Sequence, residues 1–253
     1  MAIRIDADGD SIQRTTNLPT ITGFTIMAWV RIRAAVAGAA IFSFGDGTGS
    51  NDFYDIELGG AGNLVPVNWN GNAGSSNGTA LVVDTPVHLA LTCAGTGAGQ
   101  LLTYQNGTLD ITFDGFADVD AVHMELGDRI DGGNDSNLAL SDIKIYDAVL
   151  TAAEIRNEMR TKVPRRFANL NGWYPCYAGA TERLKDYSGA GNNWTANGTL
   201  GDEPLPVGVS WNGMEALVAA QAAAAAAPAA SGPLVNGGLI NNSLAYGHSL
   251  VNG

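Results

Sequence analysis

Short apolar runs, each stopped by a cluster of Gly, Asn or Asp, recur along the first 150 positions and leave few folds open. Eleven of them follow one another: Ala2 to Ile5, Phe24 to Ile32, Ala40 to Phe44, Phe53 to Leu58, Leu64 to Trp69, Thr79 to Val83, Val87 to Cys93, Gln100 to Gln105, Thr108 to Phe113, Met124 to Leu126 and Leu140 to Tyr146. Period-2 alternation or a fully apolar run of this length indicates a strand, and even spacing with turn signals between indicates a two-sheet sandwich. The breakers include Asp46-Gly-Thr-Gly-Ser, Gly59-Gly-Ala-Gly and Gly95-Thr-Gly-Ala-Gly. Asn106-Gly107, between Leu101-Leu-Thr-Tyr-Gln and Thr108-Leu-Asp-Ile-Thr, predicts a two-residue type I′ hairpin, because both positions tolerate positive φ. The expected fold is all-β, a two-sheet antiparallel jelly-roll sandwich with one short helix and an extended C-terminal arm.

Thr151-Ala-Ala-Glu154 predicts that helix, with Thr151 as N-cap, Glu154 at N3, and Ile155 and Met159 on one face, ending near Thr161. Four regions are expected: a sandwich over 1–163, a Trp-rich appendage packed on it over 164–213, an Ala-rich connector over 214–232, and a C-terminal assembly tail over 233–253. The tail carries Leu-Val-Asn-Gly twice and almost no charge. A free apolar segment of this kind is an aggregation hazard, so its Leu234, Val235, Leu239, Ile240, Leu244, Tyr246, Leu250 and Val251 are expected to bury against a partner.

Charge narrows the partners. With 25 acidic and 13 basic side chains the net charge is -12, which repels a phosphate backbone, so nucleic acid is not expected. No apolar run reaches the 18 residues of a membrane span, and Met-Ala-Ile-Arg-Ile enters a strand pattern without an export signal. Cys93 ends an apolar run and Cys176 lies far from it, so both are expected as free thiols. The Asn-x-Thr triplets at Asn77, Asn106, Asn193 and Asn197 are expected as turns.

Three segments occur in a telling order: Ile3-Arg-Ile-Asp-Ala-Asp-Gly-Asp-Ser-Ile12, Phe24-Thr-Ile-Met-Ala-Trp-Val30, and Leu140-Ser-Asp-Ile-Lys-Ile-Tyr-Asp-Ala-Val-Leu-Thr-Ala-Ala-Glu-Ile155. Together they resemble the laminin-G-like group of the concanavalin A-like lectin and glucanase superfamily over residues 1 to about 160. The segment from Gly172 to Asn193 is similar to one that flanks such domains, with Cys176 where an aliphatic is usual. The resemblance implies a sandwich rim that can hold a structural calcium ion, the only cofactor suggested and not a required one. Asp6, Asp8 and Asp10 in the first turn are the candidate ligands, and Asp142 resembles a position that supports that loop. Asp128, Asp131, Asn134 and Asp135 form a second acidic cluster, although Asp and Asn also simply make turns.

Glucanases of the superfamily need two carboxylates across a sugar cleft. Asp52-Phe-Tyr-Asp55-Ile-Glu57 puts Asp55 and Glu57 on one strand face but lacks a first Glu, so no catalytic residue and no enzyme activity are expected. His88, His123 and His248 lack metal-ligand spacing. For sugar binding, Trp69 and Asn70 in Val67-Asn-Trp-Asn-Gly-Asn72 combine an aromatic with amides, with Tyr54 a second aromatic, while Trp29 is assigned to the core.

An adhesion-type sandwich without an export signal, followed by an uncharged repeated tail, implies a non-enzymatic virion structural protein. The expected role is a bacteriophage capsid decoration (cement) or fibre component, assembled in the host cytoplasm and displayed on the virion surface. Expected partners are other capsid or fibre proteins, further copies of the chain in a homo-oligomer such as a trimer, and host-surface glycans. The alternative is a carbohydrate-binding module of a bacterial surface or secreted protein.

Overall fold

The computed structural model describes residues 1–204 except 7–8, 21, 46–52, 69–71, 74–77, 96, 98, 114–121, 131 and 134–135. The chain divides into two units, Met1–Ser210 and Trp211–Gly253. The connector, the tail and all eight expected assembly residues lie outside the described residues.

Two antiparallel sheets make the first unit. In chain order the strands are β1 (Ala2–Ile5), β2 (Ser11–Arg14), β3 (Phe24–Ile32), β4 (Ala40–Gly45), β5 (Phe53–Leu58), β6 (Leu64–Asn68), β7 (Asn72–Ala73), β8 (Val87–Cys93), β9 (Leu101–Gln105), β10 (Thr108–Thr112), β11 (His123–Leu126) and β12 (Leu138–Tyr146). Helix α1 (Ala152–Glu158) follows, then β13 (Leu170–Tyr174), β14 (Thr195–Asn197) and β15 (Gly201–Glu203). The first sheet runs β10-β9-β8-β3-β12-β1-β15 with β13 also on β12, and the second runs β14-β2-β11-β4-β5-β6-β7. Alternate residues from both sheets fill the space between: Phe24, Ile26, Ala28, Val30 and Ile32 of β3 meet Phe42, Phe44, Tyr54 and Ile56 of β4 and β5 in one core. Each large apolar side chain among them stabilises the fold by roughly 1.5–3 kcal/mol when fully buried.

Local chemistry sets the connections. Asn106 and Gly107 adopt φ of 50° and 74°, as a type I′ turn demands, and Gln105 pairs with Thr108. Thr151 and Glu154 close a reciprocal capping box at the start of α1. Neither cysteine forms a disulfide, and both are buried.

Helix α1 covers part of the outer face of the first sheet, where Met27, Ala90, Tyr104 and Tyr146 pack with Leu150 and Ile155 in a second apolar cluster. Strand β3 is therefore covered on both sides. Trp29 lies on this outer side, half-buried and edge-on to His88 at 5.5 Å, not in the core between the sheets. Alternation puts it opposite Ala28 and Val30, and a strand that is apolar on both faces does not announce which face is inner.

Two further expectations change. Thr79 to Val83 makes only an isolated bridge, Asn63 to Ala80, and then turns at Asp84, whose φ is 60°, leaving Val82 and Val83 exposed. The Trp-rich segment is woven into the sandwich: β13 and β15 extend the first sheet and β14 extends the second. Buried Arg14 locks it there, donating to the Tyr174 hydroxyl at 2.9 Å and to Asn171 Oδ1, with its guanidinium over the Trp194 ring.

Candidate functional site

Polar side chains gather on the outer face of the second sheet. Its register aligns Thr195, Gln13, Glu125, Ser43, Asp55 and Val67 in one row across β14, β2, β11, β4, β5 and β6. Their chain neighbours Ile12, Leu126, Phe42, Phe44, Tyr54 and Ile56 occupy the core, so the row points away from it. Glu57 stands two residues beyond Asp55 on the same face, and His123 two before Glu125.

The carboxylates of this row are not open to solvent. Asp55 is 0% exposed, Glu125 3% and Glu57 8%. Part of the cover is the segment after β11, whose Ile130 N–H donates to the Ser43 hydroxyl at 3.2 Å while the Ser136 hydroxyl donates to the Ala40 carbonyl. Arg129 from this segment stands 3.9 Å from Glu57, and the buried Asp128 carboxylate accepts the Arg129 N–H at 2.6 Å. Glu125 accepts from the Ser11 hydroxyl and lies 3.6 Å from His123 Nε2. Burial holds the His123 pKa below the ordinary imidazole value, so the ring stays neutral near pH 7. Carboxylates sealed in this way can fix a loop, whereas a glycosidase needs its pair open to the sugar.

The sugar-binding candidates separate. Tyr54 belongs to the core, stacked on Phe44 at 5.4 Å and edge-on to Phe113 at 5.7 Å, with 1% exposure, so its ring is not a sugar contact. Strand alternation puts Tyr54 inward because its neighbour Asp55 faces out. Trp69 and Asn70 fall between β6 and β7 and lie outside the described residues.

The calcium candidates also separate. β1 pairs with β12 so that Ile5 faces Leu138 and Ile3 faces Leu140. Asp6 therefore follows one end of β1, while Asp142 lies beyond the other, about 17 Å away at roughly 3.4 Å per residue. Asp142 is instead the bulge residue of β12, with φ of 50°, buried against Lys144 at 3.2 Å. It does not support the first turn. Asp6 pairs with Arg4 at 2.8 Å, and buried Asp10 accepts the Thr199 N–H at 2.6 Å. Asp8, Asp131, Asn134 and Asp135 lie outside the described residues, among which no group of three or more His, Cys, Asp or Glu could hold a metal ion.

Sequence reading does not single out Gln13, Ser43, Glu125 or Arg129. The usable signal is alternation within β4 and β11, where one polar residue separates two apolar ones.

The family described as the concanavalin A-like lectin/glucanases superfamily, laminin-G type, matches residues 6–156, more than half of the chain. The chain belongs to this superfamily. Among curated proteins none matches the sequence. Among solved structures, a native heptameric SAP-like pentraxin from Limulus polyphemus is similar at 18% identity and a TM-score of 0.54, covering 79% of this chain and 92% of that one. A putative carbohydrate binding protein from Bacteroides ovatus is similar at 19% identity and the same TM-score, 0.54, covering 81% of this chain and 62% of that one. Both are likenesses of fold. No helix among the described residues is long and apolar enough to cross a membrane.

Proposed function

We propose that this sandwich recognises glycans without hydrolysing them, through the outer face of the second sheet and the Trp69-Asn70 pair that follows β6 in the sequence. The observation that supports this is the row Gln13, Glu125, Ser43 and Asp55. The row is polar on the outer side of a sheet whose inner side is apolar, and its carboxylates are sealed, which leaves no open pair for hydrolysis. Superfamily membership and the carbohydrate-binding neighbour point the same way. A glycan-array signal that Trp69→Ala abolishes supports the reading, and an array on which every signal survives it would move the site elsewhere.

A second reading concerns display. The uncharged tail with its repeated Leu-Val-Asn-Gly favours a structural protein that docks on a virion or fibre and carries the sandwich outward, as one copy of a homo-oligomer. Copurification with intact particles supports it. Particle binding that persists after removal of residues 233–253 counts against it.

A further inference from the structure

We infer that the segment after the superfamily domain carries a second binding site, a groove for a neutral oligosaccharide. The groove has a volume of about 560 Å³, with Leu184 and Trp194 among its apolar lining and Thr181, Glu182, Lys185 and Asn193 among its polar one. That size lies in the range of small-molecule sites, which combine an apolar surface with a few placed polar groups. A neighbouring hollow of about 240 Å³ shares Ala180 and Leu184 with it, giving an extended ligand room to continue.

The walls are fixed in advance. The Asp186 carboxylate accepts four bonds, from the backbone N–H groups of Trp173 (3.0 Å), Ser188 (2.8 Å) and Asn192 (2.9 Å) and from the Ser188 hydroxyl (2.8 Å). They brace the loop that forms one side. Arg183 braces the other, donating to the Leu200 and Gly201 carbonyls at 2.8 and 2.9 Å. The Trp194 backbone N–H donates to the Leu184 carbonyl at 3.0 Å, tying the two apolar residues together. Ordering these elements beforehand removes part of the entropy cost of binding.

The polar groups decide the ligand. Asp186 is consumed by its own loop, and Glu182 Oε2 accepts from the Tyr187 hydroxyl and stands 3.7 Å from Lys185, so the groove offers the other Glu182 oxygen and an ammonium donor with little net charge. Asn193 Oδ1 accepts the Asp186 N–H at 2.8 Å, and the side chain, itself exposed, keeps its amide N–H₂ as a donor. The Trp194 indole N–H, in a side chain 4% exposed, has no hydrogen-bond partner among the described residues. Alternating donors and acceptors over an apolar surface match the hydroxyls and C–H face of a sugar. A polyanion finds no cationic excess here and is repelled by the net charge of -12.

The test is calorimetric titration of the whole chain with cellohexaose, maltohexaose, xylohexaose and chitohexaose, using Lys185→Ala, Asn193→Ala and Trp69→Ala beside the parent. The expected result is saturable binding of at least one hexasaccharide with a component weakened about tenfold in each groove variant, as the loss of one good hydrogen bond implies, while Trp69→Ala removes only the component assigned to the first site. Both groove side chains reach the surface, and circular dichroism checks that the variants fold. Binding lost in Trp69→Ala but kept in the groove variants would overturn the inference while sustaining the first site. No binding of any of the four at millimolar concentration would also overturn it.

Discussion

The Lys144 ammonium, on the outer face of β12, donates to the main-chain carbonyl of Glu158 at the end of α1, at 2.8 Å. It also donates to the Thr161 carbonyl and lies 3.2 Å from Asp142 and 3.6 Å from the Glu158 carboxylate, with 1% of its side chain exposed. A cation at a helix C-terminus satisfies carbonyls that have no partner within the helix. Glu158 in turn accepts the backbone N–H groups of Arg165 and Arg166 at 3.0 and 2.8 Å, so one buried cluster pins both the helix and the chain leaving it. Lys144→Ala is expected to lower stability by about 3–5 kcal/mol, because it leaves two carboxylates buried without their cation. Urea unfolding checks this, and a loss below about 1 kcal/mol would show that the cluster does not hold the helix.

His88 makes stability depend on pH. Burial, helped by the positive charge of Lys144, lowers its pKa to about 3, so the folded ring is neutral while the unfolded one titrates at its ordinary 6.5. The folded state then binds fewer protons than the unfolded state between pH 6.5 and 3, and stability from this group falls as pH falls through that window. Asp142 acts in the opposite sense: burial raises its pKa from 3.8 to about 6, so its contribution falls as pH rises between those values. The two slopes oppose each other in weak acid. His88→Phe removes one of them, and below pH 6 the variant is expected to gain on the parent by roughly 1.4 kcal/mol per pH unit. Urea midpoints at about pH 7, 6 and 5 measure the gain, and a constant difference would contradict it.

Asp10 ties the first turn to the returning chain. Its Oδ1 accepts the Thr199 N–H, and Gly198 next to it has φ of 73° with no room for a Cβ, which would fall 2.1 Å from that same oxygen. Asp10→Ala is expected to cost about 1–3 kcal/mol through the unpaired N–H, and Gly198→Ala to destabilise as well. With Asp6 on Arg4 and Asp10 on Thr199, a chelator is expected to leave the melting temperature of the parent unchanged. A rise on adding calcium would instead place an ion on this turn.

Most of the sandwich can be read from the sequence because its strands alternate and its turns carry their own chemistry, as Asn106-Gly107 and the Thr151 capping box illustrate. What escapes reading has physical causes. β2 has Ile12 as its one apolar residue and ends on Arg14, a cation buried by long-range partners on β13, so no periodicity marks it. β15 pairs with β1 from the far end of the described chain, and no local propensity encodes that meeting. Val82 and Val83 mislead because a β-branched run at a turn looks like a strand until tertiary pairing is withheld. The polar row is legible only once pairing brings four strands into register, which is why Asp55 and Glu57 can be noticed alone and their partners Ser43 and Glu125 cannot.

Substitutions at Glu57 and Trp69 test the proposed binding role against hydrolysis. Glu57 is 8% exposed with Arg129 at 3.9 Å, an arrangement that holds the covering segment. Glu57→Gln is therefore expected to leave glycan affinity at this face within about twofold of the parent and to lower stability by about 1–3 kcal/mol. On the proposed function, Trp69→Ala is expected to reduce affinity for glycans held at this face at least tenfold, the effect of losing an aromatic contact with a sugar's C–H face. Affinity on immobilised glycans, read beside reducing-sugar release from β-glucans, distinguishes the two roles. Sugar release by the parent that Glu57→Gln abolishes would make this face an active site and overturn the proposed function.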